Sequence, residues 1–126
     1  MSVPKKPVLV IEDDTEIREA LSDILSSEGY TVHTANNGQE GLDYLKTQRQ
    51  KPGIIILDLM MPIMDGWHFR NHQLQDPDLA KIPVVIITAD GNASQKAKAM
   101  NATAGLKKPI DLDEFLETIQ KSIISS

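Results

Sequence analysis

Three runs of apolar, mostly β-branched residues each end abruptly on a polar group: Val8-Leu9-Val10-Ile11 on Glu12-Asp13-Asp14, Ile54-Ile55-Ile56-Leu57 on Asp58, and Val84-Val85-Ile86-Ile87 on Thr88. A weaker fourth run ends on Lys108-Pro109. Apolar runs without alternation predict strands buried on both faces, hence a parallel sheet with helices on either side. In open sheets of that kind the functional groups gather outside the carboxyl ends of the strands. The run endings therefore predict acidic, hydroxyl and basic groups converging on one edge.

Between the runs the apolar spacing turns helical. Ile17, Ala20, Leu21, Ile24 and Leu25 mark a first helix, with Thr15 as its expected N-cap and Gly29 as its stop. A weaker, alternating strand from Thr31 to Ala35 precedes a helix from about Gly38 to Arg49 that carries Leu42 and Leu45 and ends before Pro52-Gly53. A third helix is expected from Asp65 to Leu74, broken by Asp76-Pro77, and a short Ala-rich fourth from Ala93 to Met100, with Asn101 as a left-handed cap. That fourth helix has few large apolar anchors, which suits either a mobile helix or a lightly seated one. A last strand, Ala104 to Lys107, leads to Asp111 as N-cap and a fifth helix with Leu112, Phe115, Leu116, Ile119 and Ile123 on one face. Five strand–helix units predict a doubly wound (βα)5 flavodoxin-like sandwich, its five-stranded parallel sheet in the order 2-1-3-4-5. The switch point of that order lies between strands one and three, where Glu12, Asp13 and Asp58 stand.

The 126 residues are read as one domain, with a core from about 7 to 124. No cysteine is available for a disulfide or a thiolate metal site. Met1 to Ile11 offers four consecutive apolar residues, short of the ~7 to 15 of a signal-peptide core, so a cytoplasmic location without membrane contact is expected. A net charge of −5, with Lys5-Lys6 and Lys107-Lys108 as isolated pairs, argues against nucleic acid as a direct partner.

Three carboxylates in one crevice repel one another, so the fold must raise their pKa values or hold a cation between them. Magnesium suits such a site, because it prefers oxygen ligands and is commonly held by one or two carboxylates plus a phosphate. One carboxylate remains free as a nucleophile toward phosphorus, giving an acyl phosphate. Lys108 and Thr88 supply the ammonium and hydroxyl that would neutralise a transferred phosphoryl group.

The motifs Val10-Ile11-Glu12-Asp13-Asp14, Asp58-Leu59-Met60-Met61-Pro62-Ile63-Met64-Asp65-Gly66, Thr88-Ala89 and Lys108-Pro109, in this order and spacing, make the chain from Pro7 to Ile123 resemble a receiver domain of the two-component response-regulator family. The resemblance implies Asp58 as phosphoacceptor, Asp13 as a direct ligand of Mg2+ (or Mn2+), Glu12 acting through water, and the Met60 carbonyl as a further ligand. It also implies that Thr88 and Lys108 contact the phosphoryl group, that Ala89 belongs to the switch segment, and that the bond before Pro109 is cis. Asp14 lies one place past the acidic pair and is expected at a surface or capping position. The implied partners are a histidine kinase or histidine phosphotransfer domain and a downstream protein target, for a monomer or a weak phosphorylation-dependent dimer. The domain would catalyse only its own phosphoryl transfer and slow autodephosphorylation. The chain is expected to be either a stand-alone receiver or one cut from a larger response regulator or hybrid histidine kinase. One position departs from the family: Gly105 stands where receivers usually carry Tyr or Phe. The expected consequence is that switching runs from Thr88 and Ala89 through Asp90-Gly91-Asn92 into the fourth helix.

Other readings fit less well. An aspartate-nucleophile phosphatase needs a second acid two residues after the nucleophile, where this chain has Met60. A nucleotide-binding protein needs glycines and free N–H groups in the first turn, which here is acidic. A pseudo-receiver that only docks partners would not need the complete set Glu12, Asp13, Asp58, Thr88 and Lys108. Lys107 alternates with Lys108 and is expected to face solvent. His68 and His72 have half-zinc spacing but lack the accompanying Glu, so a solvated helix face is expected. His33, Met64 and Trp67 read as structural.

Overall fold

In the computed structural model, which describes residues 6–123, strands and helices alternate along the chain. They are β1 (Val8–Ile11), α1 (Thr15–Ser27), β2 (Val32–Ala35), α2 (Gly38–Thr47), β3 (Ile54–Asp58), α3 (Gly66–Gln75), α4 (Pro77–Ala80), β4 (Val84–Thr88), α5 (Ala93–Ala99), β5 (Ala104–Lys107) and α6 (Leu112–Ser122). All strand pairs are parallel and the order is β2-β1-β3-β4-β5, as the runs predict. Lys5 lies outside the described residues.

Alternation along each strand divides the core between the two faces of the sheet. Leu9, Ile11, Ile55, Leu57, Val84 and Ile86 meet α2 through Leu42 and Leu45, α3 through Phe69, α4 through Leu79 and α5 through Ala97. Val8, Val10, Ile54, Ile56, Val85 and Ile87 meet α1 through Leu21 and Leu25, and α6 through Phe115 and Ile119. Both sides of β1, β3 and β4 are covered, which is why those runs contain no polar residue before their ends.

Several local expectations change. Asp14, not Thr15, is the N-cap of α1: its backbone is extended and its carboxylate accepts from the Ile17 N–H at 3.0 Å. Asp76-Pro77 does not simply end a helix, because Asp76 caps the short α4, accepting from the Asp78 N–H at 2.9 Å with Pro77 in the first turn. Leu112, expected on the buried face of the last helix, is 47% exposed, while Phe115 and Ile119 are fully buried. Asn101 does take a positive φ, of 54°, and His33 stacks on Tyr44 with ring centroids 4.9 Å apart.

The largest surprise is α3, whose buried face carries polar groups. Gln73 is completely buried, its amide nitrogen donating to the carbonyls of Leu79 (2.9 Å) and Ile82 (3.1 Å). Arg70, also buried, donates to Gln73 Oε1 at 2.8 Å, to the Met100 carbonyl at 3.0 Å and to the Asn101 carbonyl at 2.7 Å. These two side chains tie α3 to the α4–β4 connection and to the end of α5. Meanwhile Trp67, expected to be a packing residue, is 39% exposed on the same helix, and Leu74 is 42% exposed. Met64 does pack against the core.

Replacing Gln73 by Leu keeps the volume but leaves the Ile82 carbonyl and an Arg70 N–H without a partner in the interior, while the Leu79 carbonyl keeps only its bond from the Ile82 N–H. At roughly 1–3 kcal/mol for each buried group left unpaired, Gln73→Leu is expected to lose at least about 2 kcal/mol. Urea unfolding should show this as a lower midpoint with an unchanged slope.

Candidate functional site

Strand register sets the site. Ile11 lies opposite Leu57, Asp58 opposite Ile87, and Thr88 opposite Lys107, so the last residues of β3 and β4 and the residues just after β1 and β5 meet at one edge. Glu12 is fully buried and Asp58 nearly so, whereas Asp13 is exposed. Each of the three offers a carboxylate oxygen, and these atoms all lie within 4.8 Å of one another. Lys108 reaches across from the far side: its ammonium lies 2.8 Å from Glu12 Oε1 and 3.4 Å from Asp58 Oδ1.

Backbone contacts hold these groups in place. The Asp14 N–H donates to Glu12 Oε2 at 3.1 Å, and the Lys108 N–H donates to the Thr88 carbonyl at 2.8 Å. The peptide bond between Lys108 and Pro109 is cis. Arg18, which sequence reasoning missed, reaches back from α1 to donate to the carbonyls of Glu12 (2.9 Å) and Asp13 (3.4 Å), bracing the acidic turn. A lone arginine one turn into a helix carries no sequence signal for such a role.

After Asp58 the chain turns sharply to enter α3. The Met60 N–H points back at Asp58 Oδ1 at 3.4 Å, and the Gly66 N–H donates to the Leu59 carbonyl at 3.0 Å. A Cβ at Gly66 would fall 2.8 Å from the Asp58 carbonyl oxygen, so only glycine lets α3 start this close to β3. Ile63, at the tip of the loop, is 83% exposed with φ of 69°, a strained conformation for a β-branched residue.

Three carboxylates against one ammonium leave the edge short of positive charge. The Asp58 carboxyl is pushed up to about 7, by burial first, then by its hydrogen bond to Glu12 and the Glu12 charge; Lys108 opposes the shift. Burial pulls the Lys108 ammonium down, but the bond to Glu12 and the charges of Asp58 and Glu12 outweigh it, and its pKa is raised. An all-oxygen donor set with an excess of negative charge fits a hard divalent cation.

The remaining expected residues are placed as follows. Thr88 is buried, and its Oγ1 accepts from the Asp90 N–H at 3.2 Å; Asp90 in turn pairs with Lys96 of α5. Ala89 is exposed beside it, and Met60 is exposed while its carbonyl belongs to the turn after Asp58. Lys107 faces solvent, as do His68 and His72, with His68 paired to Asp65. Gly105 lies on β5 beneath α5, where a Cβ would sit 2.3 Å from the Ala93 carbonyl oxygen and 3.2 Å from the Ala97 Cβ. The expectation of a lightly seated helix is therefore corrected. α5 lacks large anchors because its backbone lies directly against the strand, a distance only small residues permit.

Comparison with known proteins agrees with this architecture. Response regulator MprA of Mycolicibacterium vanbaalenii is 35% identical over 111 residues, covering 86% of this chain and 46% of that protein. The MprA of Mycobacterium leprae is 34% identical over 115 residues, covering 90% and 49%. The chain thus spans about half the length of the curated relatives it matches. Among solved structures, the Vibrio cholerae chemotaxis protein CheY4 superposes with a TM-score of 0.84 at 30% identity, covering 94% of this chain and 99% of that one. The Thermotoga maritima response regulator TrrA, solved in complex with Mg(2+)-BeF, superposes with a TM-score of 0.81 at 27% identity, covering 94% and 99%. The response regulator receiver domain family matches residues 8–120, so that strand order, acidic edge and sequence lead to one conclusion: the chain belongs to that family.

Proposed function

We propose that this chain is a phosphoacceptor receiver that takes a phosphoryl group onto Asp58 from a phosphohistidine of a histidine kinase or phosphotransfer domain. The observation that carries this reading is the buried Asp58 carboxylate gathered with Glu12 and Asp13 and within 3.4 Å of the Lys108 ammonium. An Asp58 oxygen attacks phosphorus; the new P–O bond forms as the P–N bond breaks, and the imidazole nitrogen leaves with the bonding pair. Lys108 and the Thr88 hydroxyl neutralise the phosphoryl oxygens. Asp13, Asp58, the Met60 carbonyl and, through water, Glu12 would hold Mg2+ or Mn2+, which when bound offsets the negative charge on the transferred group.

The donor's approach has a natural seat. Beside Lys108, an apolar cleft of about 220 Å³ is lined by Ile17, Ala20 and Leu21 of α1 with Pro109, Ile110 and the exposed Leu112. A phosphohistidine-bearing helix seated there would present its imidazole to Asp58, and this explains why Leu112 is left outside the core. Downstream signalling then starts at Thr88. Turning its hydroxyl toward the phosphoryl group removes the acceptor for the Asp90 N–H, and the change passes through residues 90–92 into α5. Gly105 offers no side chain for a second route.

Acetyl phosphate with magnesium is expected to add one phosphoryl group by intact-mass measurement, and Asp58→Asn to abolish the addition. Undiminished labelling of that variant would refute Asp58 as the acceptor.

With a beryllofluoride mimic, amide NMR should show changes over residues 88–100 as well as around Asp58. Thr88→Ala should confine them to the acidic edge; an unchanged α5 response would place the coupling elsewhere.

In EDTA the raised Asp58 pKa sets a pH dependence. The native state binds a proton that the unfolded chain has already lost, so stability falls as pH rises from the ordinary carboxylate range to about 7. The loss is on the order of a few kcal/mol and should be absent from Asp58→Asn. Thermal melts of both proteins from acidic to mildly alkaline pH check this. Magnesium should reverse the trend in wild type, adding about 2.7 kcal/mol at a hundredfold excess over its Kd.

A further inference from the structure

Helix α3 buries two polar side chains beside Phe69 and leaves Trp67 and Leu74 outside. Its stripe at positions 67, 70, 71 and 74 faces a groove of about 170 Å³ shared with Ala99, Met100 and Asn101 at the end of α5. Trp67, the chain's only tryptophan, and Leu74 form apolar walls that nothing covers, at 39% and 42% exposure. The floor is Arg70, a buried guanidinium whose partners are all neutral: two backbone carbonyls and the Gln73 amide oxygen. Among the described residues no carboxylate pairs with it, although the protein as a whole is acidic. Neither α3 nor the whole stretch 91–110 contains an Asp or Glu.

A buried cation without a counter-charge is costly, and a guanidinium retains N–H groups beyond the three used here. Two exposed apolar side chains beside it give a place for one large apolar side chain. The groove is smaller than the ~300 Å³ at which small-molecule pockets begin, which argues for a side chain rather than a metabolite. A nucleic-acid backbone requires several cations along a track, and a single guanidinium between apolar walls does not provide one. A second copy of this chain is also a poor fit. Its acidic helix, α6, already turns Phe115 and Ile119 into its own core.

We propose that the groove between α3 and the end of α5 is a docking site for a short acidic segment of a partner protein. In that segment an apolar side chain lies between Trp67 and Leu74, and an adjacent carboxylate meets Arg70. This site is separate from the cleft beside Lys108 and does not depend on phosphorylation of Asp58.

The test uses the unphosphorylated full chain against a random peptide library displayed on phage, with Trp67→Ala as the counter-selection target. Enriched peptides should pair Asp or Glu with a neighbouring large apolar residue, quench or shift Trp67 fluorescence, and perturb amide resonances of residues 66–75 and 99–101. Trp67→Ala and Leu74→Ala, both changes at exposed positions, should each weaken binding of a synthetic enriched peptide about tenfold. Exchanging its carboxylates for amides should weaken it similarly and remove its salt dependence, which tests the role of Arg70 without disturbing the fold. Enrichment of peptides lacking acids, binding to either variant as tight as to the unaltered chain, or resonance changes elsewhere would overturn the proposal. So would tighter binding of oligothymidylate at these residues, or self-association that perturbs them without peptide.

Discussion

Everything at the working edge of this protein depends on one ammonium group placed among carboxylates that outnumber it. Lys108 reaches both Glu12 and Asp58 and offsets part of the cost of placing two carboxylates in the interior. One lysine is not enough for both, and the deficit falls on Asp58. The parallel sheet makes the arrangement possible by ending four strands at one level. Arg18 and the Lys108–Thr88 backbone bond fix the turns that carry the charges. The fold is stable enough elsewhere, through two apolar faces of the sheet, to hold this locally unfavourable group of charges.

Much of this was legible from residue order. The runs at Val8, Ile54 and Val84 read as buried strands because they are short, rich in β-branched residues and bounded by polar turn residues. The sheet order followed from the alternation with helices, and the acidic edge from the order. Thr15 was misread as a cap because Asp14, Thr15 and Asp13 are all good capping residues, and only the backbone angles at Asp14 separate them. The short α4 was invisible because four residues have no period to detect.

The harder failure was α3. Sequence patterns assume that apolar side chains turn inward, so Trp67 reads as a packing residue and nothing marks Arg70 and Gln73 as buried. In the structure, Gln73 and Arg70 close off the backbone carbonyls of Ile82 before β4 and of Met100 and Asn101 after α5, and Gln73 adds a second bond to the Leu79 carbonyl of α4. That need arises from where three other segments end, which is information no local window contains. The reverse case is Gly105, which stands out in the sequence where an aromatic residue is expected, while the close approach of the α5 backbone to β5 at that position could not be read there.

That seam also constrains how this lineage can change. Any side chain at position 105, even a methyl group, would collide with the Ala93 carbonyl, so the helix would first have to be lifted by altered residues at 93 or 97. Until then, no single substitution toward an aromatic residue is neutral. The glycine and the alanines above it are therefore expected to persist or to be replaced together among descendants of this chain, as one inherited unit.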